Sequence, residues 1–159
     1  MSIIELFDRI FKKGLHDNTS IRGKLNIKVW NENGDLTEDY TLKNTVTALG
    51  DAHVADQMSD QGNAAMSHMA VGTGTGGTTT LTTENTRSAL SSTTQGTAGD
   101  DNDVIYVASF TGITGTITEA GIFNDATVGV MMVYNEALSQ LLGASDTLQI
   151  TWTVTFGAT

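Results

Sequence analysis

The chain ends in a segment whose polar and apolar residues alternate without a break, Asp146-Thr-Leu-Gln-Ile-Thr-Trp-Thr-Val-Thr-Phe156. Because successive side chains of a β-strand point to opposite faces, this pattern predicts a strand with one buried and one polar face. The residues predicted to face the core are Leu148, Ile150, Trp152, Val154 and Phe156. Such a strand needs neighbouring strands and an opposing apolar layer, so the segment predicts a mainly β fold.

Shorter segments of the same kind occur throughout the chain. Residues 24–30 and 36–42 alternate, and Asn31-Glu-Asn-Gly34 between them supplies turn residues, which predicts a β-hairpin. A short helix is indicated by residues at helical spacing, namely Val46, Leu49, Val54, Gln57 and Met58. Further strands are predicted near 66–71, 104–110, 113–123 and 129–135. Together these elements predict an antiparallel β-sandwich-like domain with one internal short helix.

The first residues of the chain have the pattern of an amphipathic helix. Ser2-Ile-Ile-Glu5 matches a capping box, and Gly14 is a suitable helix end. The apolar stripe consists of Ile3, Leu6, Phe7, Ile10 and Phe11. We therefore expect an N-terminal helical arm over residues 1–20 and a single β-rich domain over residues 21–159. The stripe could pack on its own domain or dock on a neighbouring subunit; a membrane surface is less favoured, because the polar face mixes both charge signs.

Composition and charge exclude several classes of protein. With 159 residues and 39% hydrophobic residues, the chain has the composition of one globular domain. It has no cysteine, no long apolar run and no signal-peptide pattern, so we expect neither disulfides, nor membrane insertion, nor secretory export. Residues 44–159 carry eleven acids and the single base Arg87. Because phosphate backbones repel an acidic body, we expect no nucleic-acid partner.

Three features could carry chemistry, and each has a simpler structural interpretation. Gly72-Thr-Gly-Thr-Gly-Gly77 matches the dinucleotide pattern, but residues 78–83 are poor helix openers, which favours a flexible loop between strands. Asp100-Asp-Asn-Asp103 lacks the spacing of a calcium loop, which favours a solvated turn. The histidines, which have no metal-binding spacing, are His16, His53 and His68. We therefore expect no catalytic residue, cofactor or metal, and no enzymatic activity.

Arg87 is the most informative charged residue. It is the only base among residues 44–159 and follows Glu84 by three positions, while Glu119 lies within a predicted strand. An isolated base among acids is drawn into a carboxylate pair. The sequence therefore predicts a structural ion pair of Arg87 with either Glu84 or Glu119. The alternative, a catalytic acid with an electrostatic partner, lacks a second catalytic group.

Five segments, taken in order, resemble a family of small bacteriophage virion proteins over roughly residues 24–156. They are Asn44-Thr-Val-Thr-Ala-Leu-Gly50, Met69-Ala-Val-Gly-Thr-Gly-Thr75, Leu81-Thr-Thr-Glu-Asn-Thr-Arg87, Thr118-Glu-Ala-Gly-Ile-Phe-Asn124 and the final segment 146–156. The resemblance implies a structural protein of the capsid or tail. It places the protein in the virion, after synthesis in the host bacterial cytoplasm, and carries over no active-site residues.

From this resemblance and the division of charge, we expect a capsid decoration or cement protein. It would be a homo-trimer whose neutral arm contacts the major capsid protein and stabilises the shell. One alternative is a tail, baseplate or fibre-anchoring component that contacts tail proteins. Another is a receptor- or glycan-binding module using loops 72–80 and 94–103, which is less favoured because neither loop contains an aromatic residue.

Overall fold

The computed structural model describes residues 19–158. The predicted N-terminal helix, its apolar stripe and His16 lie outside the described residues. The helix of the described part is α1 (Ala48–Met58), between the third and fourth strands. The strands are β1 (Thr19–Trp30), β2 (Leu36–Lys43), β3 (Thr45–Val46), β4 (His68–Gly72), β5 (Glu84–Ala89), β6 (Ser92–Gln95), β7 (Asp103–Thr111), β8 (Gly115–Ile117), β9 (Glu119–Phe123), β10 (Met131–Asn135), β11 (Gln140–Leu142) and β12 (Thr147–Ala158).

The first sheet has the antiparallel order β2-β1-β12-β7-β6. Its two longest strands pair along their whole length, from Thr19 opposite Ala158 to Trp30 opposite Thr147. The predicted hairpin is confirmed, because β1 and β2 are paired neighbours joined by the turn that contains Gly34. The final strand therefore lies at the centre of this sheet.

The second sheet has the antiparallel order β3-β10-β9-β4-β5, and β8 pairs with β11 in a separate two-stranded sheet. The two large sheets are linked at both edges by very short connections. Asn44 alone separates β2 from β3, while Leu90 and Ser91 separate β5 from β6. Each edge strand of one sheet therefore continues directly into an edge strand of the other.

The largest group of buried side chains combines residues from both large sheets. It includes Leu25 and Ile27 of β1, Met69 of β4 and Ile122 of β9. The predicted inner face of β12 is confirmed by its burial: the fully buried members are Leu148, Ile150, Trp152 and Val154, and the half-buried one is Phe156. The burial of this apolar layer is the main driving force for folding.

The second sheet is covered on its other side as well. A smaller buried cluster consists of Ala70, Leu81, Phe123, Met131 and Tyr134. Helix α1 begins after Thr47, whose hydroxyl accepts the N–H of Gly50 at 2.9 Å, and the helix packs on β10. Every residue of β9 and β10 is buried, including Glu119 at the start of β9 and Asn135 at the end of β10.

The sequence pattern predicts the long strands better than the short ones. Segment 113–123 forms two strands, β8 and β9, divided at Thr118. The helix begins at Ala48, while Val46 belongs to β3. The pattern misses β3, β5, β6 and β11, which are short or carry few apolar residues. Among residues 19–158, no helix is long and apolar enough to span a membrane.

Candidate functional site

Glu119 is fully buried, and the backbone of the β4–β5 loop binds its carboxylate. Oε1 accepts the N–H of Gly74 at 3.0 Å and the N–H of Thr83 at 2.7 Å. Oε2 accepts the N–H of Thr82 at 3.0 Å. A buried carboxylate needs such charge-assisted hydrogen bonds to offset the loss of water. Glu119 therefore ties the first residues of the loop to its last.

Gly74 lies so close to Glu119 that the site has no space for a side chain there. A Cβ built on Gly74 would lie 2.7 Å from Oε1 of Glu119 and 2.6 Å from the Cβ of Thr82. The hydroxyl of Thr118 also donates to the carbonyl of Gly74 at 2.8 Å. The sequence predicts a flexible loop here, whereas the structure holds both its ends on one carboxylate. Residues 78–83 lead into β5 without a helix, so the geometry of a dinucleotide site is absent from this loop.

Tyr134 extends this hydrogen-bonded group toward the surface. Its hydroxyl accepts the N–H of Gly76 at 2.9 Å and lies 3.5 Å from Oε2 of Glu119. Glu136 also accepts the N–H of Gly76, at 2.7 Å. Burial raises the pKa of Tyr134; hydrogen bonds from Gly77 and Gly76 oppose this effect, while the two carboxylates reinforce it. The hydroxyl thus stays protonated at neutral pH and can donate to a carboxylate.

This arrangement is suited to holding a loop and offers little for catalysis. The oxygens of Glu119 are already used by three N–H groups and approached by one hydroxyl, and the side chain has no exposed surface. A general base needs access to the proton that it abstracts. We therefore assign Glu119 a structural role within this loop.

Arg87 forms a second fixed point, on the neighbouring edge strand β5. Nε and Nη2 donate to the two carboxylate oxygens of Glu84 at 3.0 and 2.6 Å. Nη1 donates to the carbonyls of Asp125 at 3.0 Å and Val128 at 2.7 Å. The guanidinium carbon lies 3.7 Å from the centre of the Phe123 ring. Arg87 therefore joins β5 to the turn that follows β9.

The sequence leaves two partners open for Arg87, and the structure pairs it with Glu84. The alternative pair with Glu119 is not formed, because backbone N–H groups bind that carboxylate instead. The side chain of Arg87 is only 6% exposed, so its ion pair is far better shielded from water than an ordinary surface pair. Its four hydrogen bonds and its position over the Phe123 ring describe a structural tie.

Four of the five segments quoted for the expected resemblance are neighbours in space. β4 lies between β5 and β9, and Gly72 of β4 is opposite both Glu84 and Glu119. Segments 69–75, 81–87 and 118–124 therefore meet at the Glu119 carboxylate. Segment 44–50 joins the same sheet, since the hydroxyl of Thr47 donates to the carbonyl of Met131 on β10. Most of the resemblance thus maps to one sheet and its loop.

The other predicted candidates do not assemble into a site. Among residues 19–158, no group of three or more His, Asp or Glu side chains is placed to hold a metal ion. Asp100 and Asp101 lie exposed in the turn before β7. Burial lowers the pKa of His53 on α1, while nearby Asp56 has the opposite effect. Nδ1 of His68 lies 2.8 Å from the hydroxyl of Ser67.

Comparisons of the chain with protein-family models, curated proteins and solved structures gave no match. The functional interpretation therefore depends on the residues themselves. The side chains that sequence reasoning misses are Tyr134 and Glu136, and nothing in their spacing links them to Glu119. The signal that identifies Glu119 is an acid placed inside a predicted strand.

Proposed function

We propose that this protein is a structural component of a bacteriophage virion that decorates the capsid and stabilises the shell. The observation that supports the proposal is that three segments meet at the Glu119 carboxylate. They are segments 69–75, 81–87 and 118–124, which resemble those of small bacteriophage virion proteins. Motifs that build one packed unit are more informative together than singly, because each requires the others for its hydrogen bonds. The hydrogen-bonded group around Glu119 has a structural role. Such a role is what we expect of motifs shared by virion proteins that have no active site.

Within this proposal, the two large sheets form a β-sandwich. Their shared core and the direct connections at Asn44 and at residues 90–91 support face-to-face packing. The body is acidic, and Arg87, the one base of residues 44–159, is already paired with Glu84. Such a surface favours solubility before assembly. It also suits attachment through a separate, neutral segment.

The N-terminal arm is the proposed contact with the major capsid protein. The stripe that would be buried consists of Ile3, Leu6, Phe7, Ile10 and Phe11. A protein that binds only the assembled shell shifts the equilibrium toward assembly by mass action. The functional unit proposed on the shell is a homo-trimer.

Co-sedimentation with particles that lack the protein tests the arm contact. Phe7→Asp combined with Phe11→Asp should abolish binding, because the charges cannot enter an apolar contact. Arg9→Gln combined with Lys12→Gln, on the polar face of the predicted helix, is the matched control and should bind like the unaltered protein. Far-ultraviolet circular dichroism checks that all proteins are folded. Unchanged binding of the Phe variant would contradict the arm contact.

Copy number in purified virions separates the capsid role from the tail alternative. A copy number comparable with that of the major capsid protein supports decoration of the shell. A copy number lower by more than an order of magnitude supports a tail, baseplate or fibre-anchoring component. Quantitative mass spectrometry of intact particles, with the shell protein as internal reference, gives this ratio.

A further inference from the structure

The register of β1 and β2 places two lysines directly opposite each other at the surface. Lys24 pairs with Lys43, and both residues are exposed. Like charges in this position destabilise an antiparallel strand pair. Further along the same strands, Lys28 lies opposite Asp39, and the two form a salt bridge of 3.7 Å. One pair of strands thus contains both a complementary and a repulsive charge pair.

Arg22 adds a third positive charge beside the lysine pair. It precedes Lys24 by two residues on β1, so both side chains lie on the same face of the sheet. Together with Lys43 they line a cleft of about 490 Å³, in which Asp103 is the one acid. We refer to Arg22, Lys24 and Lys43 as the basic cleft.

None of the ion pairs within residues 19–158 involves a residue of the basic cleft. They are Lys28–Asp39 and Arg87–Glu84. The basic cleft therefore concentrates three of the eight basic residues of a chain whose net charge is −10. A positive cluster in so acidic a protein is complementary to exposed acidic residues of another copy.

An acidic turn lies at the same end of the first sheet. Arg22 is opposite Thr155, and Thr155 is in turn opposite Asp103, so this row of residues crosses three neighbouring strands. Asp103 is the last residue of this row, and Asp100 and Asp101 are exposed in the turn that immediately precedes it in the chain. Since neighbouring strands are about 4.8 Å apart, roughly 10 Å separates β1 from β7. One end of the sheet therefore presents positive and negative patches side by side.

We propose that the basic cleft binds the acidic turn at Asp100 and Asp101 of a second copy of this chain. Adjacent patches of opposite sign allow a head-to-tail contact, which closes into a ring when the rotation between copies permits it. The carboxylates of the second copy would compensate the repulsion between Lys24 and Lys43. The inference rests on the homo-oligomer included in the proposed function and names its contact surface, but it does not require binding to a shell.

Sedimentation equilibrium of the full chain, without particles, tests the contact by charge reversal. Lys24→Glu should weaken self-association at least about tenfold, equivalent to about 1.4 kcal/mol. Added salt should also weaken the self-association of the unaltered protein. Lys28→Glu is the matched control, because it makes the same charge change on the same face outside the cleft. Its self-association constant should stay within about twofold of that of the unaltered protein.

The melting temperature and a second variant separate a loss of association from a folding defect. Lys24→Glu places a carboxylate opposite Lys43, so the melting temperature of the fold should not fall while association weakens. Combining Lys24→Glu with Asp101→Lys in one chain should restore association, because both sides of the contact are reversed. Equal effects of Lys24→Glu and Lys28→Glu, or a protein that stays monomeric in low salt, would overturn the proposal. Loss of shell binding by the arm variant leaves these measurements unaffected, so the two hypotheses fail separately.

Discussion

Oε1 of Glu119 accepts the backbone N–H of Thr83 at 2.7 Å, across a separation of 36 residues in the chain. With the bonds from Gly74 and Thr82, this contact joins β9 to both ends of the β4–β5 loop. Three backbone donors therefore depend on one fully buried carboxylate. We expect the stability of the second sheet to depend more on Glu119 than on any exposed acid.

Glu119→Gln should lower the free energy of unfolding by about 3 kcal/mol. The replacement has nearly the same shape, but its amide offers one acceptor oxygen and directs a donor at an N–H group. At least one buried donor is then left without a partner. Urea unfolding followed by tryptophan fluorescence measures the difference.

Glu136→Gln is the matched control for that measurement. Glu136 is exposed and accepts one backbone N–H, from Gly76 at 2.7 Å. Because water can replace this contact, the loss should be below about 1 kcal/mol. Equal losses for the two variants would show that the buried carboxylate has no special role.

Arg87→Lys should destabilise the fold by about 2 kcal/mol although the charge is kept. A lysine cannot form the two parallel bonds to Glu84 and also reach the carbonyls of Asp125 and Val128. It also loses the planar group that lies over Phe123. Thermal unfolding monitored by circular dichroism measures the change.

Lys28→Gln supplies the comparison for Arg87. Lys28 and Asp39 form a longer contact of 3.7 Å, with side chains 37% and 45% exposed. Exposed pairs of this kind contribute little, so the change should be below about 0.5 kcal/mol. The structural role of Arg87 is refuted if Arg87→Lys is as mild as this control.

The parts of the fold that sequence can predict are those with two unlike faces. β12 is predictable because its inner face is buried and its threonine face is not. β6 is exposed at all four positions and β5 is mostly polar, so neither shows an apolar alternation. These strands exist because edge pairing with β7 and β4 satisfies their backbone, which side-chain patterns do not record.

The candidate site shows the same limit in its hydrogen bonds. Glu119 can be recognised as unusual because it is an acid inside a predicted strand, and an ion pair with Arg87 is one of the two pairings that the sequence leaves open. In the structure its partners are backbone N–H groups, which every residue except proline possesses. Their convergence depends on the path of the β4–β5 loop, and only the folded chain defines that path.

Gly50→Ala should destabilise the protein by about 2 kcal/mol, although alanine is normally the better helix former. A Cβ at Gly50 would lie 2.2 Å from the carbonyl oxygen of Met132, so α1 would have to move away from β10. Gly143→Ala is the control, since its Cβ would meet Asp146 no closer than 3.4 Å. Urea midpoints measure both, and a stabilised Gly50→Ala variant would disprove the close packing of α1.

His53 should make the stability of the fold depend on pH in the mildly acidic range. Its ring, on α1, is buried, Nδ1 has no hydrogen-bond partner within the described residues, and burial lowers its pKa below the ordinary 6.5. The unfolded chain therefore binds a proton before the folded chain does. The contribution of His53 to the free energy of unfolding should be fully present well above pH 6.5 and should fall as the pH drops through 6.5, by at most about 1.4 kcal/mol per pH unit.

Urea unfolding at pH 7.5 and at pH 5.5, above and below the ordinary histidine pKa, tests this dependence. His53→Gln should show a smaller loss of stability between the two conditions, because the replacement does not titrate. His68→Gln, on β4, keeps the buried ring of His53 and should lose stability like the unaltered protein. An identical loss in His53→Gln and the unaltered protein would assign the pH dependence to other groups.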